Sequence, residues 1–119
     1  MLFLHRLCRI EQLLDPGSRG FTLQLGDQAL EILVVRKSGQ LYGYLNHCPH
    51  TGITLEWQDD QFLDLSQRYI QCATHGALFR IEDGFCLRGP CSGDALTPVG
   101  VEVQDGQVIC VLDSNSGHN

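Results

Sequence analysis

The sequence predicts an all-β fold, a sandwich or small barrel of about 8–10 short strands. Three observations carry that prediction. No segment keeps apolar residues at helical spacing for long enough to make an amphipathic helix. The apolar runs are short and are broken by Gly, Asp and Asn. Asp105-Gly106, set between Val99 to Gln104 and Gln107 to Leu112, is a strong two-residue hairpin signal.

Taken in order, Phe3 to Ile10 reads as a first strand. Asp15-Pro16-Gly17 reads as a turn, because Pro presets φ and Gly supplies a positive φ. Phe21 to Leu25 follows with apolar residues at alternate positions. Ala29 to Val35 contains Ile32, Leu33, Val34 and Val35 in succession, the pattern of a strand buried on both faces. Lys37-Ser38-Gly39-Gln40 turns it back into Leu41 to Leu45. Phe62 to Leu65 is a brief strand and Tyr69 to Gln71 another. Ala77 to Ile81, the turn Glu82-Asp83-Gly84 and the return Phe85 to Leu87 complete the middle of the chain. The polar tail Ser114 to Asn119 is expected to fray. There is no internal repeat and no linker, so residues 1–119 read as one domain.

Apolar residues make up 43% and charged residues 18%, an ordinary globular balance rather than a disordered one. The longest apolar runs fall well short of the roughly 18 residues a membrane helix needs, and the N-terminal residues lack a signal-peptide pattern. Cytoplasmic location is therefore the default expectation, with no membrane contact. The net charge of −6, from 14 carboxylates against 8 Lys and Arg, argues against nucleic acid as a partner. It suits a partner with a basic face, although an acidic surface also serves solubility alone. The sequence leaves the oligomeric state open, and a monomer is compatible with it. Six cysteines without a secretory signal read as reduced thiols rather than as a disulfide framework.

Two stretches carry chemistry, Cys48-Pro49-His50 and Cys72-Ala73-Thr74-His75, with 21 residues between them. Each offers one thiolate and one imidazole from a tight loop that follows a strand. Two Cys and two His suit a [2Fe–2S] centre in which one iron takes both cysteines and the other both histidines. Gly52 and Gly76, just past the histidines, let backbone N–H groups approach the bridging sulfides. A zinc site is the competing reading of the same four residues. Zinc fingers, however, group Cys with Cys and His with His, usually across a helix, whereas here each pair is mixed and sits among strands.

Cys48-Pro49-His50-Thr51-Gly52 with Leu55 behind it, and Cys72-Ala73-Thr74-His75-Gly76 with Phe79 and Gly84 behind it, resemble the two boxes of the Rieske [2Fe–2S] domain. The resemblance continues through Gly89-Pro90, Leu96-Thr97-Pro98-Val99 and the Asp105-Gly106 hairpin, spanning roughly Leu41 to Leu112. It implies a Rieske-like β-sandwich or partial barrel with a small inserted cluster-binding subdomain, approximately residues 46–85. It also implies one [2Fe–2S] cluster per chain, with Cys48 and Cys72 on the inner iron and His50 and His75 on the outer one. High-potential members carry an extra disulfide where this chain has Ile53 and Ala73, and hydroxyls near sulfur where it has Ala77 and Phe79. With fewer donors to sulfur, the potential is expected at the lower end of the roughly −150 to +300 mV Rieske range.

The function this implies is a soluble Rieske ferredoxin, an electron carrier rather than an enzyme. It would pass single electrons from a reductase to an oxygenase or another redox enzyme, its redox protein partners. One alternative is the small subunit of a nitrite-reductase-like complex; another is a zinc-stabilised or redox-sensing interaction module. No Gly-rich nucleotide loop and no nucleophile elbow is present. Cys8, Cys86, Cys91 and Cys110 read as buried small hydrophobes. Cys86 and Cys91, five apart, are close enough to pair, but a cytoplasmic setting disfavours it. His47 is expected to pack in its loop, Trp57 to anchor packing, and His5 and His118 to carry no role. Glu56, Asp59, Asp60 and Asp64 are expected to form a solvated acidic face.

Overall fold

The computed structural model describes residues 2–47, 55, 60–72, 76–89, 91 and 93–113. Strand β1 (Leu2–Arg9) runs into a short 3-10 helix, Ile10–Gln12, and β2 (Gly17–Leu25), β3 (Gln28–Lys37) and β4 (Gln40–Leu45) follow. Then come three short strands, β5 (Tyr69–Gln71), β6 (Leu78–Arg80) and β7 (Cys86–Arg88), and finally β8 (Pro98–Gln104) and β9 (Gln107–Asp113). The fold is all-β, as the sequence predicts. Six strands form one antiparallel sheet in the order β1-β9-β8-β4-β3-β2, which curls into a nearly closed barrel. The three short strands form a second sheet, β5-β6-β7.

The hairpins follow from their turn residues. Ser38 and Gly39, with φ of 52° and 79°, join β3 to β4, and Asp105 and Gly106, at 53° and 74°, join β8 to β9. Two successive positive φ values match the right-handed twist of the flanking strands. The Asp15 carboxylate accepts from the N–H groups of Ser38 and Gly39, both at 2.8 Å, so a remote residue closes the first of these turns. The turn at 15–17 differs from expectation. The Asp15–Pro16 peptide is cis, and Gly17 enters β2 without a positive φ. Gly17 is needed for space instead, since a Cβ there would lie 2.6 Å from the Leu14 carbonyl oxygen.

Strand β3 is the hub. Ile32, Leu33, Val34 and Val35 are all fully buried, as the apolar run predicts. The period-2 alternation of a strand sends them to two different cores. Val34 packs with Cys8, Leu13 and Val108, and Ile32 with Leu23 and Cys110, inside the barrel. Leu33 and Val35 face the other way, into a cluster with Phe62, Ile70, Phe79 and Ile81 that seats the small sheet on the barrel. Each such side chain contributes about 1.5–3 kcal/mol of burial. Register is therefore fixed from both faces, because a slip of one residue would exchange the two sets.

Residues 62–65 do not make the expected strand; Leu63 forms a single bridge with Ile70. The Asp64 side chain accepts from the N–H groups of Arg68 and Tyr69, both at 3.1 Å, which bends the chain into a turn before a ladder can extend.

Candidate metal centre

Of the four predicted ligands, Cys72 is among the described residues, and Cys48, His50 and His75 lie outside them. So do Pro49, Thr51, Gly52, Ile53, Ala73 and Thr74, and also Glu56, Trp57, Asp59 and His118. What the structure does define are the bases of the two loops.

The second loop leaves β5 at Cys72 and returns at Ala77 to start β6. Its neck is closed twice: the Cys72 N–H donates to the Ala77 carbonyl at 2.9 Å, and the Gly76 N–H donates to the Cys72 carbonyl at 3.0 Å. Gly76 adopts a φ of 65° to make the second of these bonds. Cys72 is 1% exposed, in the same core as Phe62, Ile70, Ala77 and Phe79. A thiol buried among apolar groups favours its neutral form unless a cation holds the thiolate, and an iron does so outright. The position of Cys72 therefore fits a ligand to an inner iron.

The first loop leaves β4 at Asn46. Asn46 is 1% exposed, and its side-chain oxygen accepts from the Leu55 N–H at 2.8 Å. That bond spans nine residues and draws together the two ends of the segment holding Cys48 and His50. Leu55 is fully buried in the same core as Cys72 and Ala77, so both loops rise from one packed base. Sequence reasoning missed Asn46, since an Asn before a loop looks like an ordinary turn residue. The one available signal was the rule that a polar group ending a buried strand must find a partner. The His47 side chain is exposed, not packed as expected.

A third segment lies against the second loop. Tyr44 of β4 donates from its hydroxyl to the Ile81 carbonyl at 2.6 Å, locking barrel to small sheet. Burial, aided by the negative charges of Asp83 and Glu82, pushes the Tyr44 phenol up to about 12. Gly84, with φ of 73°, lets the chain pass under this ring; a Cβ there would sit 2.8 Å from Tyr44 Cε1. Beyond β7, Gly89 meets Ala77, and a Cβ on Gly89 would lie 2.9 Å from the Ala77 Cβ. Cys86 and Cys91 are both buried and are joined as a disulfide. This overturns the expectation of separate thiols, because the sheet end and the following turn bring their Cα atoms to 6.0 Å, within bridging range. Cys8 and Cys110 are buried thiols, as expected, and burial raises both above the usual thiol range.

The acidic stretch also does more than face solvent. Asp60 accepts from the Gly20 N–H at 2.8 Å through its carboxylate and from the Ser18 hydroxyl at 2.9 Å through its carbonyl, tying this segment to β2. Among the described residues, no three of His, Cys, Asp and Glu come together as a metal site. No helix among them is long and apolar enough to cross a membrane.

Comparison with known proteins matches this geometry. The chain fits the family model of the Rieske [2Fe–2S] domain over residues 4–104. A search of curated protein sequences finds no match. Among solved structures, the chain is similar to the terminal oxygenase of carbazole 1,9a-dioxygenase from Novosphingobium sp. KA1, at 23% identity and a TM-score of 0.74, over 98% of this chain and 31% of that one. It is similar to the ferredoxin of carbazole 1,9a-dioxygenase from Nocardioides aromaticivorans IC177, at 20% identity and a TM-score of 0.69, covering 90% of this chain and 95% of that one. A third structure, named as an NADH-dependent nitrite reductase small subunit from Mycobacterium tuberculosis, aligns at 20% identity and a TM-score of 0.67, over 96% and 98% of the two chains. With its barrel, its small sheet and its two necked loops, the chain belongs to the Rieske [2Fe–2S] domain family, whose cofactor is a [2Fe–2S] cluster.

Proposed function

We propose that this protein is a Rieske-type ferredoxin, a carrier that takes one electron from a reductase and delivers it to an oxygenase or another redox enzyme. The observation that carries this reading is the family match over residues 4–104 together with the mixed Cys/His boxes at its centre. In this reading residues 1–119 form a single domain working in the cytoplasm, with residues 46–85 as the cluster-binding part. Cys48 and Cys72 hold the inner iron, and His50 and His75 hold the outer iron at the exit for the electron. The buried position of Cys72 supports its share of that assignment.

When bound, the cluster takes up and releases one electron. The chain's own work is to hold that group still and dry on one side. Asn46 and the Cys72–Ala77 and Gly76–Cys72 hydrogen bonds fix the loop bases, and the apolar cluster of Leu55, Ala77 and Phe79 excludes water beneath them. Ala77 and Phe79 bring no hydroxyl to the sulfurs, which leaves the reduced cluster less stabilised and sets a low potential.

The test is metal and sulfide analysis of the purified protein with its visible spectrum. Two irons and two sulfides per chain in a reddish-brown, dithionite-reducible protein are expected, and His75→Ala should abolish the spectrum. A colourless zinc protein, or full metal loading after His75→Ala, would overturn the reading. A second reading, prompted by the similarity to a nitrite reductase small subunit, is a carrier built into a larger complex. Co-purification with a large flavin and sirohaem protein would select it.

A further inference from the structure

We propose that Cys86 and Cys91 form a reversible dithiol–disulfide clasp that holds the loop between them against the second cluster-binding segment and slows loss of the cluster. The proposal rests on the reading that Cys72 is a cluster ligand. Its starting point is the contact path from the sulfurs to that residue. The clasp closes a loop whose Gly89, at a φ of 111°, lies so close to Ala77 that no side chain fits between them. Ala77 in turn supplies the carbonyl that receives the Cys72 N–H. Disulfide, Gly89, Ala77 and Cys72 are thus successive neighbours around one core.

The loop's other described ties start from a short strand. Strand β7 has three residues and lies at the edge of its sheet, with two residue pairs to β6, Leu78 with Arg88 and Phe79 with Cys86. At the neck, the Cys86 N–H donates to the Asp94 carbonyl and the Asp94 N–H donates to the Cys91 carbonyl, both at 2.8 Å. Short edge elements with few pairs are the ones that open locally. A covalent link across a sequence separation of five removes much of the freedom the opened loop would gain. By the chain-entropy relation for so short a ring, cutting it raises the opened population by up to about 40-fold.

The chemistry is thiol–disulfide exchange. A dithiol reductant attacks one sulfur as its thiolate, passes through a mixed disulfide, and leaves as its own cyclic disulfide. The protein gains two electrons and two protons, and the Cys86–Cys91 bond becomes two thiols. Both cysteines are 1% exposed, so attack waits on opening of the loop. The exchange is therefore slow and gated, and in a reducing compartment the dithiol is the favoured form.

The experiment uses the cluster-bearing protein, air-oxidised or treated with dithiothreitol and then desalted. Alkylation and intact mass count the thiols, and decay of visible absorbance under a chelator reads cluster loss. The oxidised form should show Cys86 and Cys91 protected and lose its cluster several-fold more slowly than the reduced form, with about 40-fold as the ceiling. Cys86→Ser/Cys91→Ser should decay like the reduced protein and ignore dithiothreitol. Should that variant fold poorly, amide exchange across β6 and β7 is compared between the two forms of the unmutated chain, and faster exchange in the reduced form is expected. Equal decay rates and equal exchange in both thiol states would overturn the clasp while leaving the carrier reading intact. A chain that holds no iron and sulfide refutes the carrier reading and the clasp's effect on the cluster together.

Discussion

Asn46→Ala tests whether the neck of the first loop matters. The substitution removes the acceptor of the Leu55 N–H, and Leu55 is fully buried, so that donor has no ready access to water. Leaving a buried N–H unpaired costs about 1–3 kcal/mol, and the small cavity left by the amide adds to it. A loss of about 2 kcal/mol corresponds to roughly 4–16 °C in Tm for domains from 60 to 250 residues, this one near the middle. Urea unfolding with the slope m unchanged is the assay, because a shifted midpoint at constant m reports stability alone. Chelator-driven cluster loss should accelerate in parallel, as the ends of the segment holding Cys48 and His50 part. Leu45→Ala, a half-buried neighbour outside the hydrogen bond, controls for general weakening of β4. A midpoint within about 0.5 kcal/mol of the parent would refute the reasoning, since exposed substitutions do as little.

Other outcomes follow from the same geometry. Gly84→Ala meets both a positive φ and the Tyr44 ring at 2.8 Å, so it should cost about 1–3 kcal/mol in denaturant unfolding. Raising pH should weaken the fold: Tyr44 titrates at about 12 when folded against an ordinary value of 10. Its contribution is therefore whole below pH 10 and is lost as pH climbs through 12, worth on the order of 2–3 kcal/mol at most. Tyr44→Phe should flatten that alkaline loss while lowering stability at neutral pH through the missing bond to Ile81. The Lys37–Glu82 pair at 3.0 Å also bridges barrel and small sheet, but both ends are solvated. Glu82→Gln should change stability by less than about 1 kcal/mol, measured by thermal melts at low and high salt.

The fold was legible where one local rule acted alone. The Ile32 to Val35 run announced a strand buried on both faces, and Asp105-Gly106 announced its hairpin. Which face met which core was not legible, because that depends on the small sheet returning over β3 from much later in the chain. The acidic stretch was legible only in part for a related reason: charge marks Asp60 and Asp64 as solvent-facing, which does not show that their oxygens also serve N–H groups at Gly20, Arg68 and Tyr69. At the site, the mixed Cys/His boxes identified the family from residue type and spacing. Asn46 stayed hidden because its partner, Leu55, is chosen by the loop's return path. A reducing compartment argues against a Cys86–Cys91 pairing, whereas proximity across the turn after β7 decides it.

The closed necks also bear on how far the two loops can vary. In a zinc finger the unmetallated chain is unfolded, because metal binding supplies the folding free energy. Here the Asn46–Leu55, Cys72–Ala77 and Gly76–Cys72 bonds and the shared apolar base are made by peptide and side-chain groups that are not ligand atoms. Each loop therefore begins and ends at a fixed point of the fold. That anchoring lets the loops change in length or sequence with small effect beneath them, since lengthening a loop on fixed ends costs only about 0.6 kcal/mol per doubling.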